Sequence, residues 1–174
     1  IFQEKLEQDI LKAKRKEDFS AFDIFQHVQD KNKKASIEEA KSEEETDLND
    51  FSSLLENTEK QLLIFSGNLS FVNLKNKKIN IFEKIEKLIK KGVIIKAICR
   101  VDLAGRENIE KLLGLNFKYG KELVEIRHCE QPVRASIVDN KTLRIKEIKE
   151  PTGKLHELNK KVFIFYTIKE KEWV

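Results

Sequence analysis

The sequence predicts an α/β fold: a mixed, mainly parallel sheet with helices on both faces, preceded by N-terminal helices. Three observations predict it. From residue 61 onward, short apolar runs alternate with amphipathic stretches in the order β-α-β-α-β, and three further strand-like runs follow. One of the runs, "VIIKAICR" (93–100), is almost wholly apolar, as befits a strand buried on both faces of a parallel sheet. Residues 1–60 instead show helical periodicity in a polar, Lys/Glu-rich background.

The elements follow in order. Leu6, Ile10, Leu11 and Ala13 recur at helical spacing. Phe19, Phe22, Phe25 and Val28, at steps of three, mark a second amphipathic helix, a core or dimer-contact stripe. "KNKKAS" breaks the pattern, and the acidic "IEEAKSEEETDLND" reads as a solvated loop or helix face. Leu48, Phe51, Leu54 and Leu55 form the next helical stripe, with Thr46 or Asp47 as its cap. "QLLIFS" is a strand that ends in the turn "SGN". "INIFEKIEKLIKKG" is a helix with Ile79, Phe82, Ile85 and Ile89 inward and Gly92 as its stop. After the strand 93–100, "GRENIEKLLG" reads as a short helix closed by Gly114. "LVEIRH", "VRASIVD" and "TLRIKEI" are strands, the last two joined by the polar turn "DNK". "KVFIFYTI" is the final strand.

Composition bounds the function. The chain has 174 residues, 37% of them charged and 40% apolar, with a net charge of +4. That suits one domain with some additional helix. Acids and bases interleave, so the mild positive charge permits contact with nucleic acid without arguing for it. The lysines at 75, 77, 78, 87, 90 and 91 are interrupted by Glu83 and Glu86 and read as a solvated face. No apolar run approaches the roughly 20 residues of a membrane span, so no membrane contact is expected. The start "IFQEKLEQDILKAKRK" does not read as a signal peptide. Cys99 and Cys129 make neither a disulfide framework nor a convincing metal site, which points to a reducing, cytoplasmic setting. His128 and Cys129 are adjacent, so on a strand they face opposite ways and cannot jointly hold a metal. No cofactor is expected.

"LLIFSGN", "IEKLIKKGVIIKAICR", "VEIRH" and "PVRASIVDNK" together resemble one half of a phospholipase D-like domain, over about residues 50–174. Aligning Asp139 with the motif aspartate puts Pro132 at the position of the histidine and Arg134 at that of the lysine. In that family the histidine attacks phosphorus and the lysine holds the phosphoryl oxygens. Proline carries no nucleophile, whereas Arg134 retains bidentate capacity for phosphate or carboxylate. "IFSGNLSF", "GVIIKAICR" and "IRHCEQPVRASIVDNK" further resemble phrases of the TrmB-like archaeal transcription regulators. Those proteins join a winged helix and a helical linker to a phospholipase D-like domain without the catalytic pair.

The resemblance implies residues 1–50 as a helical linker and dimerisation region, with or without the tail of a winged helix, and residues 51–174 as an effector domain. It implies a homodimer, a small anionic or sugar ligand, and DNA contacted through a region mostly outside this chain. Ser66, Asn68, Arg100, Arg134 and Asp139 are the candidate ligand-binding residues. Plainer alternatives stand beside them: turn chemistry for Ser66, Asn68 and Asp139, and a surface or salt-bridged arginine for Arg134, while Arg100, at the end of its strand, is equally open. Two other functions stay open. One is a phosphodiesterase or nuclease with an altered site that uses His128. The other is a structural adaptor with a filled crevice.

Overall fold

The computed structural model describes residues 2–153 and 160–174. In chain order the elements are α1 (Phe2–Lys12), α2 (Ala21–Phe25), β1 (Lys33–Ala40), α3 (Asn49–Glu56), β2 (Gln61–Phe65), α4 (Ile81–Lys91), β3 (Ile94–Cys99), α5 (Arg106–Tyr119), β4 (Val124–His128), β5 (Ala135–Val138), β6 (Thr142–Lys149) and β7 (Lys161–Ile168). The strands form one seven-stranded mixed sheet in the order β1-β7-β6-β5-β2-β3-β4. Parallel pairing joins β2 to β3 and β3 to β4. The other four junctions are antiparallel, so the parallel portion is smaller than the sequence reading made it.

Strand alternation sorts the core into two layers. Leu62, Ile64, Ile95, Ala97, Cys99 and Val124 point to the face covered by α3, α4 and α5. On α4, Ile81, Ile85, Leu88 and Ile89 are at most 2% exposed. Each such side chain contributes roughly 1.5–3 kcal/mol of burial. Asn80 opens this helix by accepting from the Glu83 N–H, and Gly92, at φ 88°, closes it in the left-handed region. On the other face, Ala135, Leu143, Ile145, Tyr166 and Ile168 pack against Ala21, Ile24 and Val28, with Leu6 and Ile10 of α1 alongside. Helices therefore lie on both faces, as the sequence indicates.

Four sequence readings are corrected. The stretch from 33 to 40 is a strand, not a loop or helix face, and it pairs in register with β7 from Lys33↔Ile168 to Ala40↔Lys161. It is an edge strand exposed at half of its positions and buried only at Ala40, so its sequence carries little apolar alternation. The helix expected over the phenylalanines is only five residues long. Its buried positions are Ala21 and Ile24, while Phe22 is 53% exposed. β3 is covered on one face only, and Ile94 on the other is 42% exposed. The helix after it does not stop at Gly114 but runs to Tyr119 and closes at Gly120, φ 61°. Among the described residues, no helix is long and apolar enough to cross a membrane.

Candidate ligand-binding crevice

The crevice forms where β2 and β3 end and the segment before β5 crosses them. Their following loops are stitched together. Ser66 N–H donates to the Ile98 carbonyl (3.0 Å), and Arg100 N–H donates to the Gly67 carbonyl (2.9 Å). Ser66 Oγ accepts from Leu69 N–H (3.0 Å), which leaves the hydroxyl hydrogen outside that bond. Asn68 Oδ1 accepts from Ser70 N–H (3.2 Å), and its carbonyl accepts from Asn108 Nδ2 (2.9 Å). Gln131 fastens the crossing segment: its Nε2 donates to the Ser66 carbonyl (3.2 Å), and its Oε1 accepts from Val133 N–H (2.6 Å).

Arg134 is set down beside this turn. Lys146 N–H donates to the Arg134 carbonyl (2.8 Å), extending the β5–β6 ladder by one step. Strand alternation then places Arg134, Ser136, Arg144 and Lys146 on the same face of the sheet. A Cβ at Gly67 would sit 3.4 Å from Arg134 Nη2, an ordinary van der Waals contact, so the guanidinium lies beside the backbone of this turn. Ser66, Gly67, Arg100 and Arg134, with Lys14 and Arg15 from the segment after α1, line a crevice of about 490 Å³ that Glu17 and Glu130 also border. A smaller cavity of about 60 Å³ shares Ser66, Gly67 and Arg134 with this crevice as lining residues.

That inner cavity is strongly charged. Arg144 and Lys146 line it, and so does Glu43, from a single 3-10 turn (Glu43–Glu45) between β1 and α3. Lys146 Nζ lies 2.6 Å from Glu43 Oε1, with their side chains 15% and 19% exposed. Burial pulls the Lys146 ammonium below its ordinary pKa, Glu43 opposes this, and Arg134 and Arg144 add to the lowering. Arg144 lies over the Phe165 ring at 4.3 Å and the Phe51 ring at 5.2 Å. Burial lowers its pKa against the pull of Glu43, Asp50 and Glu38, yet a guanidinium remains charged.

The sequence candidates separate. Ser66, Arg100 and Arg134 meet at the crevice, and Asn68 lines the inner cavity. Arg100 also donates through Nε to Asp102 (2.5 Å). That bond, then the Gly105 N–H, holds Asp102 below the usual carboxylate range. Asp139 lies at the other end of β2, which removes it from the crevice: its carboxylate accepts from Glu59, Lys60 and Gln61 N–H at 2.8–2.9 Å. Pro132 is buried. His128 is exposed, and its Nδ1 accepts from Val101 N–H (2.9 Å), so the neutral ring carries its hydrogen on Nε2. Cys129 is exposed and Cys99 buried, its thiol pushed up by burial and then by Asp102.

Sequence reasoning missed Glu43, Arg144, Lys146, Gln131, Lys14 and Arg15. The alternation in "TLRIKEI" signals that Arg144 and Lys146 share a face, since Leu143 and Ile145 take the opposite one. For Glu43 the sequence holds no local signal, because its partner is 103 residues away.

No protein-family model matches the chain, and no curated protein matches it. Solved structures do resemble it. One is TrmBL2, an archaeal chromatin protein whose structure shows a novel mode of DNA binding; it has a TM-score of 0.49 and 14% identity over 79% of this chain and 46% of that one. A second is Nuc from Salmonella typhimurium, a phospholipase D family member, at TM-score 0.49 and 12% identity over 80% of this chain and 86% of that one. NucT from Helicobacter pylori stands at TM-score 0.49 and 14% identity, over 80% and 87%. This chain spans less than half the length of TrmBL2. Likenesses at this level concern the course of the backbone, and no residue role is carried over from them.

Proposed function

We propose that this chain is a non-catalytic ligand-binding and dimerisation domain of a cytoplasmic transcription regulator. The crevice at the ends of β2 and β3 takes a small anionic or hydroxylated ligand. One observation carries the reading. Arg134 lies beside Gly67 and lines a charged crevice, while the buried Pro132 stands where the resembled family has its nucleophile. Arg100 adds a second guanidinium and Ser66 a hydroxyl, a set suited to oxyanions and sugar hydroxyls. Lys14 and Arg15 belong to the N-terminal region, so a ligand there touches both the effector domain and the segment proposed as linker and dimer contact. Binding then biases the arrangement of residues 1–50, and through them a DNA-binding part mostly outside this chain.

A thermal-shift screen against sugars, phosphates and nucleotides tests this. At least one compound is expected to raise the melting temperature, and Arg134→Ala is expected to abolish the rise. A screen without any response would end the proposal. The hydrolase alternative needs a nucleophilic imidazole, and the Nδ1 bond from Val101 argues against His128 in that role. Turnover of a phosphodiester reporter that His128→Ala removes would reinstate it.

A further inference from the structure

The inner cavity presents a charge problem that the fold answers from within. Its lining residues include three cations, Arg134, Arg144 and Lys146, and one carboxylate, Glu43. Lys146 is mostly withdrawn from water and has Glu43 as its ion-pair partner. Glu38 and Asp50 also act on Arg144. Both are engaged elsewhere: Glu38 accepts from Asp47 N–H (2.7 Å), and Asp50 pairs with Lys34 (3.3 Å). One carboxylate against three cations leaves room for more negative charge than Glu43 supplies. The cavity, about 60 Å³, is of the size of a single oxyanion group, and it shares Ser66, Gly67 and Arg134 as lining with the 490 Å³ crevice.

We infer that Glu43 is an internal stand-in for the anionic head of a ligand: a phosphate monoester binds by displacing the Glu43 carboxylate from Lys146, with its organic part in the outer crevice. This rests on the reading of the crevice as a ligand site. A dianion meets the three cations with twice the charge of one carboxylate. Its binding is a competition, so apparent affinity falls by whatever factor Glu43 holds the site. The displacement has a structural output. Glu43 opens the 3-10 turn that ends at Glu45, where Thr46 Oγ1 donates to the Glu43 carbonyl (2.6 Å) and Lys41 N–H donates to Glu45 (3.0 Å). Releasing Glu43 loosens the connection between β1 and α3 at Lys41, an exposed site for trypsin.

Calorimetric titration of the whole chain at low salt, with inorganic phosphate and with glycerol 3-phosphate, tests this. Glu43→Gln keeps the side-chain size and removes the charge, so it is expected to bind either probe at least about tenfold more tightly than the unaltered chain. Adding Arg134→Ala to it is expected to abolish the binding. Either probe is expected to speed tryptic cleavage after Lys41 in the unaltered chain and leave the rate in Glu43→Gln unchanged. If Glu43→Gln does not fold, Glu43→Asp, which withdraws the carboxylate by one methylene, is expected to bind more tightly than the unaltered chain. Equal affinities in the two chains, or protection of Lys41 by phosphate, would overturn the inference. If a sugar or nucleotide binds through Arg134 while Glu43→Gln changes nothing, the crevice reading survives and the stand-in fails. If only the phosphates bind, tightened by Glu43→Gln but unaffected by Arg134→Ala, the anion does not reach Arg134, and the crevice reading and the inference built on it both fall.

Discussion

Asp139 shows what a residue aligned with a motif can be doing instead. It and Asn140 both have positive φ, 51° and 54°, and Lys141 N–H returns to the Val138 carbonyl (2.9 Å), so the hairpin turns through two left-handed residues. The Asp139 carboxylate then collects three backbone N–H groups at the start of β2. Burial works to raise its pKa, but the bonds from Gln61, Glu59 and Lys60 together outweigh it and leave the group below its ordinary value. With a folded pKa under the unfolded one near 3.8, the stabilisation is complete above about pH 4 and is lost as pH falls through the folded value. Asp139→Asn is expected to cost about 2 kcal/mol at neutral pH and to flatten that acid limb, checked by urea unfolding from pH 2 to 7. The polar turn was legible in "DNK", because few residues tolerate left-handed backbone. Its end of the sheet was not, because a motif gives spacing along a strand and says nothing of which neighbours close over it. Ser66, Arg100 and Arg134 were legible because strand termini open crevices in such sheets.

At the scale of elements, helices with strong stripes were legible and terminators were less so. α4 has both an apolar stripe and a glycine at the required left-handed stop. Gly114 looked like an equivalent stop, yet α5 runs through it, because the helix still has Leu115 to bury, 2% exposed, and Asn116 to bond. Asn116 closes the return to β4: its Oδ1 accepts from Leu123 and Val124 N–H, and its Nδ2 donates to the Val124 carbonyl. Gly114 therefore pays an entropic cost with no conformational need, and a Cβ there meets nothing within 4 Å. Gly114→Ala is expected to raise stability by about 0.5–1 kcal/mol, read from the denaturation midpoint. β1 was not legible because its strand character comes from β7, more than a hundred residues away, and not from its own pattern.

For the whole molecule, the two helical layers are offset. One covers β2, β3 and β4, and the other covers β5, β6 and β7. The α/β class follows from the alternation of elements, but the offset follows from pairing order, which no segment states by itself. The junction between the layers is the β2–β5 pair, and the crevice sits at its end. A ligand there contacts the N-terminal region, the parallel strands and the antiparallel strands at once. The proposed coupling needs that position.

The outermost strand has a consequence for solubility. Among the described residues β1 has no sheet neighbour beyond it, so about 26 Å of backbone faces outward with donors and acceptors ready for another chain. Ile37 on it is 69% exposed, flanked by Lys33, Lys34, Glu38 and Glu39. Those charges act as gatekeepers: a second molecule that zipped onto this margin would have to strip water from them. Replacing Glu38 and Glu39 together with valine is expected to turn a dispersed protein into one that scatters light within hours at 37 °C and binds thioflavin. A variant that stays dispersed would show that crowding by neighbouring loops, and not charge, keeps the margin unmated.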